Sequence, residues 1–159
     1  MRALAIAMAA LPLLGGCGSQ NAAPAAAHIK AGWWEQTLEI VEPKNMRGER
    51  RQRGRCVTPE RAARPAIMFE DAARESYCTL RDFTMAGGRI HAVSACHQEG
   101  GGVSVTSTST MDGSYTDTAI DLAIRGEATF DNGERRPMES RSIGRWVRDC
   151  RPGDPERPR

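Results

Sequence analysis

Chemically versatile side chains are scarce in this 159-residue sequence. It has three histidines, three tryptophans, three phenylalanines and two tyrosines. His28 falls in an Ala-rich stretch, and His91 and His97 lie on one predicted strand. No spacing of Ser, His and Asp singles out a catalytic triad. Gly-x-Ser-x-Gly, a phosphate-binding loop, His-Glu-x-x-His and an EF-hand loop are all missing. The sequence therefore points away from an enzyme and implies no cofactor. No two cysteines stand two residues apart, which excludes a Cys-x-x-Cys redox pair. A surplus of charge is missing too: 22 basic side chains face 20 acidic ones. Nucleic acid, which demands a strongly basic face, is not an expected partner. Nor is there a long apolar run. Ala3 to Leu14 is the longest, broken by Pro12, and a bilayer-spanning helix needs about 20 such residues.

That short run suits a different role. Met1-Arg2 gives a positive start, and the apolar stretch has signal-peptide length. Gly15 and Gly16 then precede Cys17. Leu14-Gly15-Gly16-Cys17 resembles the lipobox of bacterial lipoproteins. The resemblance implies a signal peptide over 1–16, a diacylglycerol on the Cys17 sulfur and acylation of the new amino terminus. Membrane attachment through acyl chains on Cys17 is thus expected. Gly18, where an Asp would mark retention at the inner membrane, favours an outer-membrane lipoprotein facing the periplasm. An ordinary signal peptide cut among Ala22 to Ala27 is the alternative.

Residues 18–31 are small and Ala-rich, without an apolar period, and read as a tether behind the lipidated cysteine. Residues 151–159 hold three prolines and few apolar groups, and read as a disordered tail. Between them, 32–150 is long enough for one domain with a core. The stretch 33–41 alternates: Trp34, Leu38 and Ile40 share one face, while Trp33, Glu35, Thr37 and Glu39 share the other. Residues 114–124 alternate likewise, and 102–111 is rich in Thr, Val and Ser. Gly87-Gly88, Asp112-Gly113 and Asn132-Gly133 are hairpin-turn signals. Thr58 is a candidate helix cap with Pro59 at the first helical position, and Pro65 should break that helix. The expected fold is mainly β: one antiparallel meander of about seven strands, a curled sheet or half-barrel, with one short helical insertion and two disulfides. Pro137 and Arg125-Gly126 suggest bulges in the last hairpin.

With Cys17 assigned to lipid, Cys56, Cys78, Cys96 and Cys150 form an even set, which an oxidising compartment would pair. Facing residues of a hairpin have a constant index sum. A three-residue loop at 86–88 gives 174, the sum of 78 and 96, so Cys78 would face Cys96. A two-residue loop would shift the pairing by one. Cys56 and Cys150 then pair by elimination. A zinc site at Cys96, His97 and His91 is the competing reading, but strand neighbours point to opposite faces.

Gly32-Trp33-Trp34-Glu35, then Cys56-Val57-Thr58-Pro59-Glu60, then the later cysteines resemble a proteobacterial envelope family, domain of unknown function 3617. Its first motif commonly has Leu where Trp33 stands. The resemblance spans most of 30–148. It implies an exported, disulfide-bearing β-rich domain and transfers no catalytic residue.

Two features suggest contact with partners. The run 47–55 carries five arginines. Charges on both faces of a strand suit an exposed edge, or contact with anionic head groups near the anchor. Trp34 reads as core and Trp33 as covered or surface-binding, so Trp33, Trp34, Arg50, Arg51 and Arg53 make a candidate binding surface. Asp117 and Asp121 share a predicted face, better explained by solvation than by paired-acid chemistry. The leading functional expectation is a lipid-anchored periplasmic domain that is structural or binds an envelope protein. The alternative is a carrier or sensor of a small apolar ligand in the concave face of the sheet.

Overall fold

The computed structural model describes residues 27–100 and 102–156. The expected leader, Cys17 and most of the expected tether lie outside them. Seven strands form one antiparallel sheet: β1 (Gly32–Glu42), β2 (Arg50–Val57), β3 (Cys78–Ala86), β4 (Arg89–Gly100), β5 (Val103–Tyr115), β6 (Ala119–Phe130) and β7 (Arg135–Arg148). Their order is β2-β1-β7-β6-β5-β4-β3. β3 to β7 run as a meander, and the β1–β2 hairpin adds itself beside β7. β2 and β3 are therefore the two edges, and the sheet is not closed.

Helices α1 (Pro59–Ala63) and α2 (Ala66–Glu75) carry the chain from one edge to the other. The single insertion expected there is two helices. Thr58 caps α1, its hydroxyl accepting from the Arg61 N–H, and Pro59 starts it. Pro65 separates the helices, since it cannot continue the hydrogen-bond ladder. Arg61 reaches across to Asp71 at 2.9 Å and ties α1 to α2. Buried Trp34, Val57, Ala62, Met68, Ile90, Ile120 and Leu122 form one apolar cluster, with Phe69, Phe83 and Met85 packed against it. These residues come from strands near both edges, so the sheet must curl around α2. Phe69 of α2 meets Phe83 of β3 with ring centroids 5.3 Å apart.

The rest of the concave face is small. Ala92, Ser94, Ala128 and Ser142 are buried, and the Ser94 and Ser109 hydroxyls bond at 2.8 Å. Short side chains let the strands coil tightly without a bulky filling. Across the opposite face run charge pairs such as Arg141–Asp121 at 2.6 Å and Arg125–Glu139 at 3.0 Å. Cross-strand pairs of opposite sign suit a solvated face. Asp121 is therefore an ion-pair partner, held below the usual carboxylate range by its hydrogen bonds from Arg141. Asp117 lies outside β6, and its carbonyl accepts from the Lys30 N–H.

Several expected boundaries move. Asp112-Gly113 is no turn: β5 runs through it to Tyr115. Gly113 is there because a Cβ would strike the Asp121 backbone on β6. The last hairpin has no bulge at Arg125-Gly126 or Pro137; its register is unbroken from Ala119↔Arg145 to Thr129↔Arg135. Register shifts occur instead between Trp33 and Trp34, between Ile40 and Glu42, and between Arg81 and Thr84. The disulfides are Cys56–Cys150 and Cys78–Cys96, as expected.

The domain is also longer than 32–150. Ile29 is buried, and its N–H donates to the Ala62 carbonyl. The Trp34 indole donates to the Lys30 carbonyl at 2.8 Å, and the Trp146 indole to that of Ala31 at 2.9 Å. Residues 29–31, assigned to the tether, are thus part of the fold. The tail expected to be disordered folds back as far as residue 156. The Pro155 carbonyl accepts from the Cys56 N–H on edge strand β2. Asp154 takes a two-pronged ion pair from Arg148, at 2.7 and 3.1 Å.

That clamp sets a pH expectation. Hydrogen bonds from Arg148 and from the Arg151 amide lower Asp154 from 3.8 to about 2. A carboxyl depressed in the folded state stabilises it fully above its unfolded value and ceases to do so as pH falls through the folded one. The tail should stay docked at pH 4 and loosen between roughly pH 3.8 and 2. Amide exchange at Cys56 will report it. Exchange that accelerates already between pH 6 and 5 would count against the clamp.

Candidate ligand cavity

A cavity of about 310 Å³ opens between α2 and the concave face of β1, β2, β6 and β7. That volume lies at the small end of the roughly 300–1,000 Å³ range of small-molecule sites. Strand alternation builds its floor, because Trp34, Ile120 and Leu122 occupy inward positions on β1 and β6. The Trp34 N–H is spent on Lys30, so the ring offers only an apolar wall. Met68 and Phe69 of α2 supply the roof. Their positions on α2 place them on the face turned to the sheet, and Met68 is buried. Below, the Ser142 hydroxyl accepts a 2.8 Å hydrogen bond from the Gln36 amide. The mouth is polar and exposed, formed by Gln36, Arg53, Glu75 and Ser76.

Arg55 is the charged group of the inner wall. It faces Trp34 across the β1–β2 ladder, so the two side chains share the concave side. It is half-buried, and among the described residues it forms no hydrogen bond or ion pair through its side chain. Burial lowers its pKa, and the nearby Arg61 guanidinium lowers it further; Glu75 and Asp71 oppose this from a distance. Arg61 has Asp71 as its own partner.

The expected binding surface does not assemble as one face. Trp33 lies on the convex side, where its ring covers Gly54 and Arg148 stacks on it at 5.0 Å. Gly54 is needed there, since a Cβ would enter the Trp33 ring. Trp34 and Arg53 go to the cavity. Arg50 and Arg51 are exposed beside Glu39 at 3.4 Å and Glu49 at 3.8 Å, on a strand that is indeed a sheet edge. Arg55, Met68, Phe69 and Leu122 were not singled out from the sequence. Period two from Arg53 puts Arg55 on the Trp34 face once β1 and β2 pair, but only the packing of α2 makes that face a cavity.

The histidines stand apart from this site. His91 contacts Asp112 at 2.7 Å and His97 contacts Glu99 at 3.0 Å, all of them exposed. No group of three or more metal-ligating side chains occurs among the described residues. No described helix is long and apolar enough to cross a membrane. A family model described as "Protein of unknown function (DUF3617)" matches residues 29–150. No curated protein and no solved structure matches the chain.

Proposed function

The chain belongs to the family described as Protein of unknown function (DUF3617), and from that premise we propose a function on the chain's own site. It is a lipid-anchored domain of the bacterial envelope that holds a small, mostly apolar ligand without transforming it. The single observation carrying this reading is the cavity under α2, with its aromatic and aliphatic walls and polar mouth. It supports the carrier reading over the structural or partner-binding alternative. The leader and Cys17 support the anchor, which would keep the opening close to a membrane surface from which apolar molecules could be drawn.

Trp34 gives a direct test. Bromine quenches indole fluorescence on contact, and Trp34 is the tryptophan that lines the cavity. The acylated chain in lipid nanodiscs should lose part of its tryptophan emission, saturably, when titrated with 10-bromodecanol. Trp34→Phe should remove the quenched component and Trp33→Phe should leave it. Quenching that is absent, or that survives Trp34→Phe, contradicts the proposal.

A further inference from the structure

We propose that the ligand of this cavity is an amphiphile with one acidic head group, and that Arg55 receives that group; this deepens the carrier reading and rests on it. The argument starts from what Arg55 lacks. A guanidinium has five donors in a rigid fork and cannot shed its charge. Withdrawing such a cation partly from water is costly unless an anion and hydrogen bonds compensate. The two other half-buried arginines among the described residues have compensation: Arg61 holds Asp71 at 2.9 Å and Arg148 holds Asp154 at 2.7 Å. Arg55, half-buried against Trp34, has no such carboxylate among the described residues, and it lines a cavity.

The surroundings specify the rest of the ligand. Beyond Arg55 the wall turns apolar through Trp34, Met68, Phe69 and Leu122. A head group on the fork thus directs an attached chain onto those side chains. Glu35 and Glu75 also border the cavity but are exposed, so water screens their charges. Arg53 is exposed as well and stays hydrated at the entrance. A carboxylate and a phosphate monoester both match the fork bidentately, and the shared requirement is one acidic oxygen pair on an apolar tail.

The test compares photoreactive probes on the full acylated chain in nanodiscs: diazirine-bearing decanoic acid, decyl phosphate and decanol at equal concentration. Crosslinks are mapped to the peptides of 66–75 and 119–130. At least one acidic probe should label these peptides about tenfold more than decanol, the range expected of a charge-assisted hydrogen bond. The stronger of the two identifies the head group. Arg55→Gln should bring acid labelling down to the decanol level while decanol labelling, which reports an intact cavity, persists. Should Arg55→Gln lose both, Arg55→Lys decides, and it must retain an excess of acid over alcohol. Equal labelling by all three probes in the unaltered chain overturns the acidic head group and leaves the carrier standing. An acid excess unaffected by Arg55→Gln removes Arg55 from the assignment. Absence of crosslinks at both peptides with every probe overturns the carrier itself.

Discussion

Replacing Cys56 and Cys150 together by serine is expected to lower the unfolding free energy by about 4–5 kcal/mol, the chain-entropy estimate for a loop of about 100 residues. The bridge closes a sequence separation of 94, against 18 for Cys78–Cys96, whose loss should cost only about 3 kcal/mol. Position reinforces the difference. Cys56 sits on edge strand β2, which pairs with only one neighbour, β1. The same residue is held through its backbone by Pro155, and the segment after β7 is held by Arg148 and Asp154. Cutting the bridge frees an edge strand and the tail at once. α1 and α2 follow β2 directly, so the cavity roof loses its mooring on that side. Urea unfolding of the two double-serine variants will read the order of effects. Equal midpoints, or a larger loss from Cys78 and Cys96, would mean that the β2 tether is secondary.

Cys17→Ser is expected to abolish incorporation of labelled palmitate altogether. In the proposed anchor the leader is cut after Gly16, Cys17 becomes the first residue, and only its sulfur can carry the thioether. Each methylene buried in the bilayer contributes about 0.8 kcal/mol, so one chain binds marginally while two or three prevent release. The proposed carrier depends on that proximity, because a ligand with an apolar tail is encountered at membranes rather than in water. Label that persists in Cys17→Ser would remove the anchor, though not the cavity.

The sheet was legible in the sequence because alternation and turn dipeptides are local signals. What they missed was set by neighbours in space. The Cys78–Cys96 pairing is an example of a sound sum reached through the wrong loop. The loop is two residues, Gly87-Gly88, since Ala86 faces Arg89. That register would misplace the cysteines by one. The shift between Arg81 and Thr84 restores it, with Asp82 at a left-handed φ of 53°. Asp tolerates that conformation, but no local pattern announces it. Asp112-Gly113 fails for a related reason. The pairing of β5 with both β4 and β6 carries the strand past a good turn signal to Tyr115, and the close approach of β6 explains the glycine better.

The site was less legible still. Tryptophan and arginine counts marked β1 and β2 as the place to look, and Trp34 and Arg53 do border the cavity. Alternation also separates Trp33 from Trp34, so a surface using both was not available. Arg55 resembled the other arginines of 47–55 until α1, α2 and Arg61 enclosed it. The prolines of 151–159 suggested disorder, yet Pro155 lends its carbonyl to an edge strand that otherwise lacks an acceptor there. Composition describes what a segment cannot bury, not what it can cover.

The most direct measurement is native mass spectrometry of the mature chain extracted from its own envelope. An additional small-molecule mass should survive desolvation and be lost in Ala72→Trp, where an indole on the exposed rim of α2 closes the mouth of the cavity. A chain that carries no such mass, or one that keeps it in Ala72→Trp, would contradict the claim that this cavity is where the protein does its work.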